Sequence, residues 1–132
     1  MKNFSRPILV ATIAVVLAAS ASIPSNAASR AARTRAYDGQ WSVVIYTLVG
    51  DCDRSLRYSV RIIDGQVQAD DQSYQVSGRV TPKGEIRVMV AEGGRSASGF
   101  GRLSADSGRG QWRTSTSQCS GQWTAMRRPN AY

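Results

Sequence analysis

The chain reads as an all-β protein, a small eight-stranded antiparallel up-and-down barrel, with a β-sandwich as the alternative architecture. Three observations lead there. From Gln40 onward apolar and polar residues alternate with a period of two, the mark of strands with one buried and one solvated face. Turn chemistry interrupts that alternation at short intervals, as in Asp64-Gly65 and Glu92-Gly93-Gly94. Two cysteines, Cys52 and Cys119, stand where a closed barrel would bring them together.

The chain opens on an address. Lys2 and Arg6 give a short positive start, an uncharged apolar run covers 8–19, and Pro24 precedes Ser25-Asn26-Ala27, a small-residue site for cleavage after Ala27. This is the layout of a secretory signal peptide over 1–27, and the run is too short for a spanning helix. The mature protein is therefore expected in the periplasm or secreted. Lys2 and Arg6 leave with the leader, so 15 of the 17 basic residues remain against 9 acids. Arg30, Arg33 and Arg35 lie in 28–36, which has no large apolar residue and reads as a flexible basic lead-in. The barrel domain is expected over 37–128, with 129–132 as a tail. No later stretch is apolar enough to span a membrane as a helix.

The first strand is expected over 40–49. The clearest one is 56–63, where Leu56, Tyr58, Val60 and Ile62 face one way and Arg57, Ser59 and Arg61 the other. Asp64-Gly65 is a strong hairpin signal and leads into a short strand over 66–69. The next runs over 74–80, with Tyr74, Val76, Gly78 and Val80 inward. Thr81-Pro82-Lys83-Gly84 then turns into 85–91, with Ile86, Val88 and Val90 inward. A strand over 95–103 carries small inner residues, Ala97, Gly99 and Gly101, and glycine in a strand marks a bulge, a bend or the close approach of another group. Ala105-Asp106-Ser107-Gly108 turns into 110–116, and 119–126 closes the domain.

The cysteines favour closure. Cys52 follows the first strand and Cys119 begins the last, and these strands are antiparallel neighbours only in a closed barrel. An open meander would hold them on opposite edges, beyond the roughly 7 Å between Cα atoms that a disulfide tolerates. Closure also removes exposed edges. A single disulfide agrees with export to an oxidising compartment.

Gly-Gln-Trp occurs at Gly39-Gln40-Trp41, Gly110-Gln111-Trp112 and Gly121-Gln122-Trp123, taking in all 3 tryptophans. They fall on the first, seventh and eighth strands, which adjoin at the closure. They read as an aromatic core seam, or as the wall of a ligand cavity. The Gly39-x-Trp41 pattern on the first strand, with Arg127 or Arg128 at the end of the last, resembles the calycin pattern of lipocalin- and avidin-like barrels. That resemblance implies an arginine covering Trp41 at a closed end. The disulfide end, with Asp51, Asp53, Arg54 and Gln118, is then the open mouth and the candidate binding rim. The chain is also similar to short exported bacterial proteins of unassigned role, some labelled haem-utilisation or adhesion proteins. With no His and both Cys paired, haem would need tyrosine ligation, so no cofactor is expected.

The absence of His removes Ser-His-Asp and Cys-His catalysis and the commonest nitrogen ligand of zinc. Asp51 and Asp53, Asp70-Asp71 and Glu92 are the carboxylates left for metal or acid–base work. They read more simply as solvated loop residues, with Arg54 and Arg57 beside the first pair. No catalytic or metal site is expected, and no dedicated nucleic-acid site. The expected function is a non-enzymatic, exported binding module for an envelope protein or a small apolar ligand. The alternative is a structural envelope protein binding anionic glycan or lipid through its arginines.

Overall fold

A computed structural model describes residues 35–129 continuously, together with scattered positions among the first twenty. The cleavage site after Ala27, Arg30, Arg33 and residues 130–132 lie outside the described residues, as does most of the leader.

Eight strands form a closed antiparallel barrel in chain order: β1 (Gly39–Val49), β2 (Ser55–Ile63), β3 (Gln66–Ala69), β4 (Gln75–Val80), β5 (Glu85–Glu92), β6 (Arg95–Ser104), β7 (Ser107–Thr114) and β8 (Ser120–Arg127). Each strand pairs with the next. β1 closes on β8 from Trp41↔Arg127 to Val49↔Ser120, with a bulge between Thr47 and Val49. That ladder excludes the sandwich. Asp64 and Gly65 both have positive φ, 51° and 76°, as the two-residue turn between β2 and β3 requires.

The turn before β7 is tighter than the sequence suggests. Ser104 pairs with Ser107, so only Ala105 and Asp106 make the turn and Ser107 already belongs to the strand. Ala105 takes the left-handed conformation, φ 51°. Cys119 lies just before β8 and is joined to Cys52, with Cα atoms 6.1 Å apart. The bridge spans a sequence separation of 67 and should stabilise by about 4 kcal/mol in the chain-entropy account.

Alternation places the ends of the barrel. The turns at 64–65, 81–84 and 105–106 lie at one end, with the start of β1 and the end of β8. The loops at 50–54, 70–74, 93–94 and 115–119 lie at the other. Trp41, Ile62, Val67, Val80, Ile86 and Leu103 are buried toward the first end. Inward residues further up the strands, Val43, Ile45, Val76, Val88 and Ala97, are only half-buried although they point inside. The barrel is filled at one end and hollow toward the other.

Outward positions are mostly polar or charged, for example Arg57, Ser59 and Arg61 on β2 and Arg109, Gln111 and Arg113 on β7. An apolar inside and a polar outside reverse the pattern of a membrane-spanning barrel. Among the described residues no helix is long and apolar enough to cross a membrane.

Candidate functional site: an apolar cavity with one closed end

The closed end is built around Trp41, which is 1% exposed. Its indole N–H donates to the Tyr37 carbonyl at 2.9 Å. The Arg127 guanidinium lies over the ring, 5.0 Å from its centroid. Arg127 donates to the carbonyls of Asp38 (3.0 Å), Ala36 (2.9 Å) and Ala105 (2.7 Å), and its Nε lies 3.1 Å from Asp106 Oδ1. One planar cation thus ties the entry of β1 and the β6–β7 turn to the end of β8. Arg128 turns away and donates to Ser42 Oγ at 2.8 Å. Arg35 and Ala36, at the end of the expected lead-in, form part of a turn, and Arg35 reaches Asp64 at 3.1 Å. Asp38 accepts the amides of Asp64 (2.8 Å) and Gly65 (3.2 Å).

The other two tryptophans line the seam. Trp112 donates to the Tyr46 carbonyl at 2.9 Å, reaching from β7 past β8 to β1. Trp123 shares its N–H between the carbonyls of Phe100 (3.2 Å) and Gln111 (3.1 Å). Its ring lies on the backbone of β6 and β7, where Gly101 and Gly110 face each other. A Cβ at Gly101 would sit 2.7 Å from the indole, and one at Gly110 2.6 Å from it. These glycines are a flat bed for one tryptophan.

Above this floor lies a cavity of about 550 Å³, within the range of small-ligand sites. Trp41, Ile62, Leu103 and Trp123 form its base, and Val43, Ile45, Val60, Val76 and Val88 its walls. Its mouth is at the disulfide end, with Thr47, Cys52, Asp53, Tyr58, Glu92, Arg95 and Ser96. The expected rim residues separate here. Asp53 borders the cavity, whereas Asp51, Arg54 and Gln118 are exposed on the surrounding loops and do not line it. The Asp53 carbonyl accepts the Thr47 hydroxyl and the Arg54 carbonyl accepts the Thr47 amide at 3.0 Å, which fixes the loop against β1.

Tyr58, Glu92 and Arg95 were missed as mouth residues. The inward phase of β2 placed Tyr58 inside, but its height in the barrel depends on the stagger between strands. Tyr58 donates to Glu92 Oε2 at 3.1 Å. Burial, then the hydrogen bond to Glu92 and its charge, push the Tyr58 phenol up to about 12. Tyr74 packs edge-on against Tyr58 at 5.0 Å between centroids and bonds to the backbone of Ser59. Burial raises its pKa as well.

The carboxylates weighed for chemistry are otherwise engaged. Asp70 accepts from Gln40 and Ser59 and lies 3.4 Å from Arg61. Asp71 accepts the Ser73 amide at 2.8 Å, which lowers its pKa. Neither is joined to Glu92. Among the described residues, no cluster of three or more metal-ligating side chains forms, and Arg54 and Arg57 make no ion pair. The arrangement offers apolar volume and a polar mouth. No model of a known protein family matches the chain, and no curated protein matches it in sequence.

Proposed function

We propose that the protein is an exported, non-enzymatic binding module that takes a small apolar ligand into the barrel. The observation that carries this reading is the half-open cavity of about 550 Å³, walled by valine and isoleucine over a tryptophan floor. Its apolar walls reward burial by about 25 cal/mol per Å². Its polar mouth suits a ligand with one hydrated end. The likeness to calycin barrels points to the same use. Export is supported by the leader pattern at 1–27 and by the disulfide, which belongs to an oxidising compartment.

Binding of an uncharged fluorescent probe such as N-phenyl-1-naphthylamine tests the cavity. Saturable one-to-one uptake is expected, insensitive to salt because no surface charge drives it. Ala97→Trp, which projects an indole into the cavity, should abolish uptake while the thermal midpoint stays within a few degrees. Uptake that survives Ala97→Trp, or no saturable uptake at all, would rule the reading out. Recovery of an exported chain beginning at Ala28, and about 2 Da lighter than its reduced form, would establish the address and the disulfide together.

A further inference from the structure

The arginines that are dispersed in sequence gather on one outer face of the barrel. Strand alternation sends Arg79 of β4, Arg87 of β5, Arg102 of β6 and Arg109 and Arg113 of β7 outward, and all five are exposed. Glu85, 3.4 Å from Arg102, is the one carboxylate among the outward strand positions of this face. Register makes the concentration sharper. Arg79 stands directly across from Arg87, and Arg102 directly across from Arg109. Like charges directly opposed across a ladder destabilise a sheet, and this sheet carries two such pairs side by side. The adjoining strand β8 marks the edge of this face, since its outward residues from Ser120 to Met126 are uncharged and stand across from Arg109 and Arg113.

Two apolar side chains sit within this ring. Phe100 is paired with Arg87 on one side and Gln111 on the other, and it is 50% exposed. Met89, diagonal to it on β5, is also 50% exposed. Arg102 lies two positions along β6, and Arg109 and Arg113 lie diagonally on β7. We infer that this face docks the barrel on the surface of an anionic phospholipid bilayer. The guanidiniums would bond the phosphates while Phe100 and Met89 enter the headgroup layer. Charge complementarity supplies the attraction, because each Lys or Arg near such a surface adds about fivefold to partition and arginine is the preferred phosphate partner. The apolar pair separates a bilayer from a hydrated polyanion, which offers no apolar layer to receive it. A single exposed aromatic also falls short of the row of stacking rings that single-stranded nucleic acid uses.

Co-sedimentation of the full chain with vesicles tests the inference, using phosphatidylcholine alone or with about one third phosphatidylglycerol, a composition for which charge attraction is strong. The leader is the same in every variant, so ratios between variants isolate the face. The wild-type chain should prefer the anionic vesicles. The double variant Arg87→Gln/Arg109→Gln should lose about 25-fold in partition to them, two fivefold steps. Arg87→Lys/Arg109→Lys should retain most of it, and Phe100→Ser should weaken it with the charge intact. All of these side chains are exposed, so thermal midpoints within a few degrees of the wild type, or above it where the opposed arginine pairs are relieved, will show that the barrel still forms. Equal partition of the wild type and the double Gln variant overturns the inference. So does preference for a single-stranded oligonucleotide or dextran sulfate with none for anionic vesicles.

Discussion

Arg127 is the single side chain on which the closed end depends most. It stacks on Trp41 and reaches three carbonyls from two different parts of the chain. Lysine cannot reproduce a planar fork with five donors, so Arg127→Lys should destabilise by about 2–3 kcal/mol, the scale of hydrogen bonds to a charged group. Chemical denaturation will measure it, and a loss under about 0.5 kcal/mol, the usual surface value, would show that the stack is incidental. Gly110 makes the complementary case. Its added methyl would meet both the Phe100 carbonyl and the Trp123 ring, so Gly110→Ala should cost about 1–3 kcal/mol by overpacking. A thermal midpoint equal to wild type would show that the Trp123 bed is slack. Gly99 and Gly101 were legible as positions of close approach. What approaches them was not, because Trp123 belongs to β8 and reaches the β6 backbone across β7.

Among the elements, those with a clean period of two and an Asp-Gly or Gly-Gly turn were legible nearly to the residue, as at 66–69 and 95–103. The start of β7 was not. Ala105 in a left-handed conformation costs about 1–2 kcal/mol, so nothing local recommends a two-residue turn there. The turn is held from a distance, by Arg127 Nη2 on the Ala105 carbonyl and by the Arg127 amide on the Asp106 carbonyl, both at 2.7 Å. The disulfide acts at the other end. It pins the β1–β2 loop to the start of β8 just beyond the β1 bulge, where Leu48 and Val49 are exposed. Reduction, or Cys52→Ser, should lower stability by about 2–5 kcal/mol, the usual range for a small exported domain. Denaturant melts with and without reductant will read this, and coincident curves would show that closure needs no staple.

For the whole molecule, the barrel and its closure were legible because patterning and the cysteine positions agreed. Whether the inside was full or hollow was not, since that depends on how summed side-chain volumes distribute along the axis. The basic face was equally hidden. Alternation spaces its arginines apart along the chain, and only the register brings Arg79 to Arg87 and Arg102 to Arg109. Stability of the whole fold should carry the signature of Tyr58. The folded state holds its phenol at about 12 against an ordinary 10.0, so the fold favours the protonated form. The stability this contributes is complete below pH 10 and declines as pH rises toward 12, because the unfolded chain releases the proton first. Thermal melts across that window should fall less steeply in Tyr58→Phe than in the wild type. Identical slopes would place the alkaline transition elsewhere.

The closed end is also where the polypeptide enters and leaves. The Ala36 carbonyl lies 2.9 Å from Arg127 Nη2, and the Arg128 amide bonds the Gln40 carbonyl at 2.7 Å. Both connections to the rest of the chain therefore emerge side by side at the sealed pole, a full barrel length from the mouth. A tether at either terminus, whether a retained leader, a fused enzyme or an immobilising tag, would hold the molecule like a cup by its base. The opening, at the far pole, would then stay clear of the point of attachment.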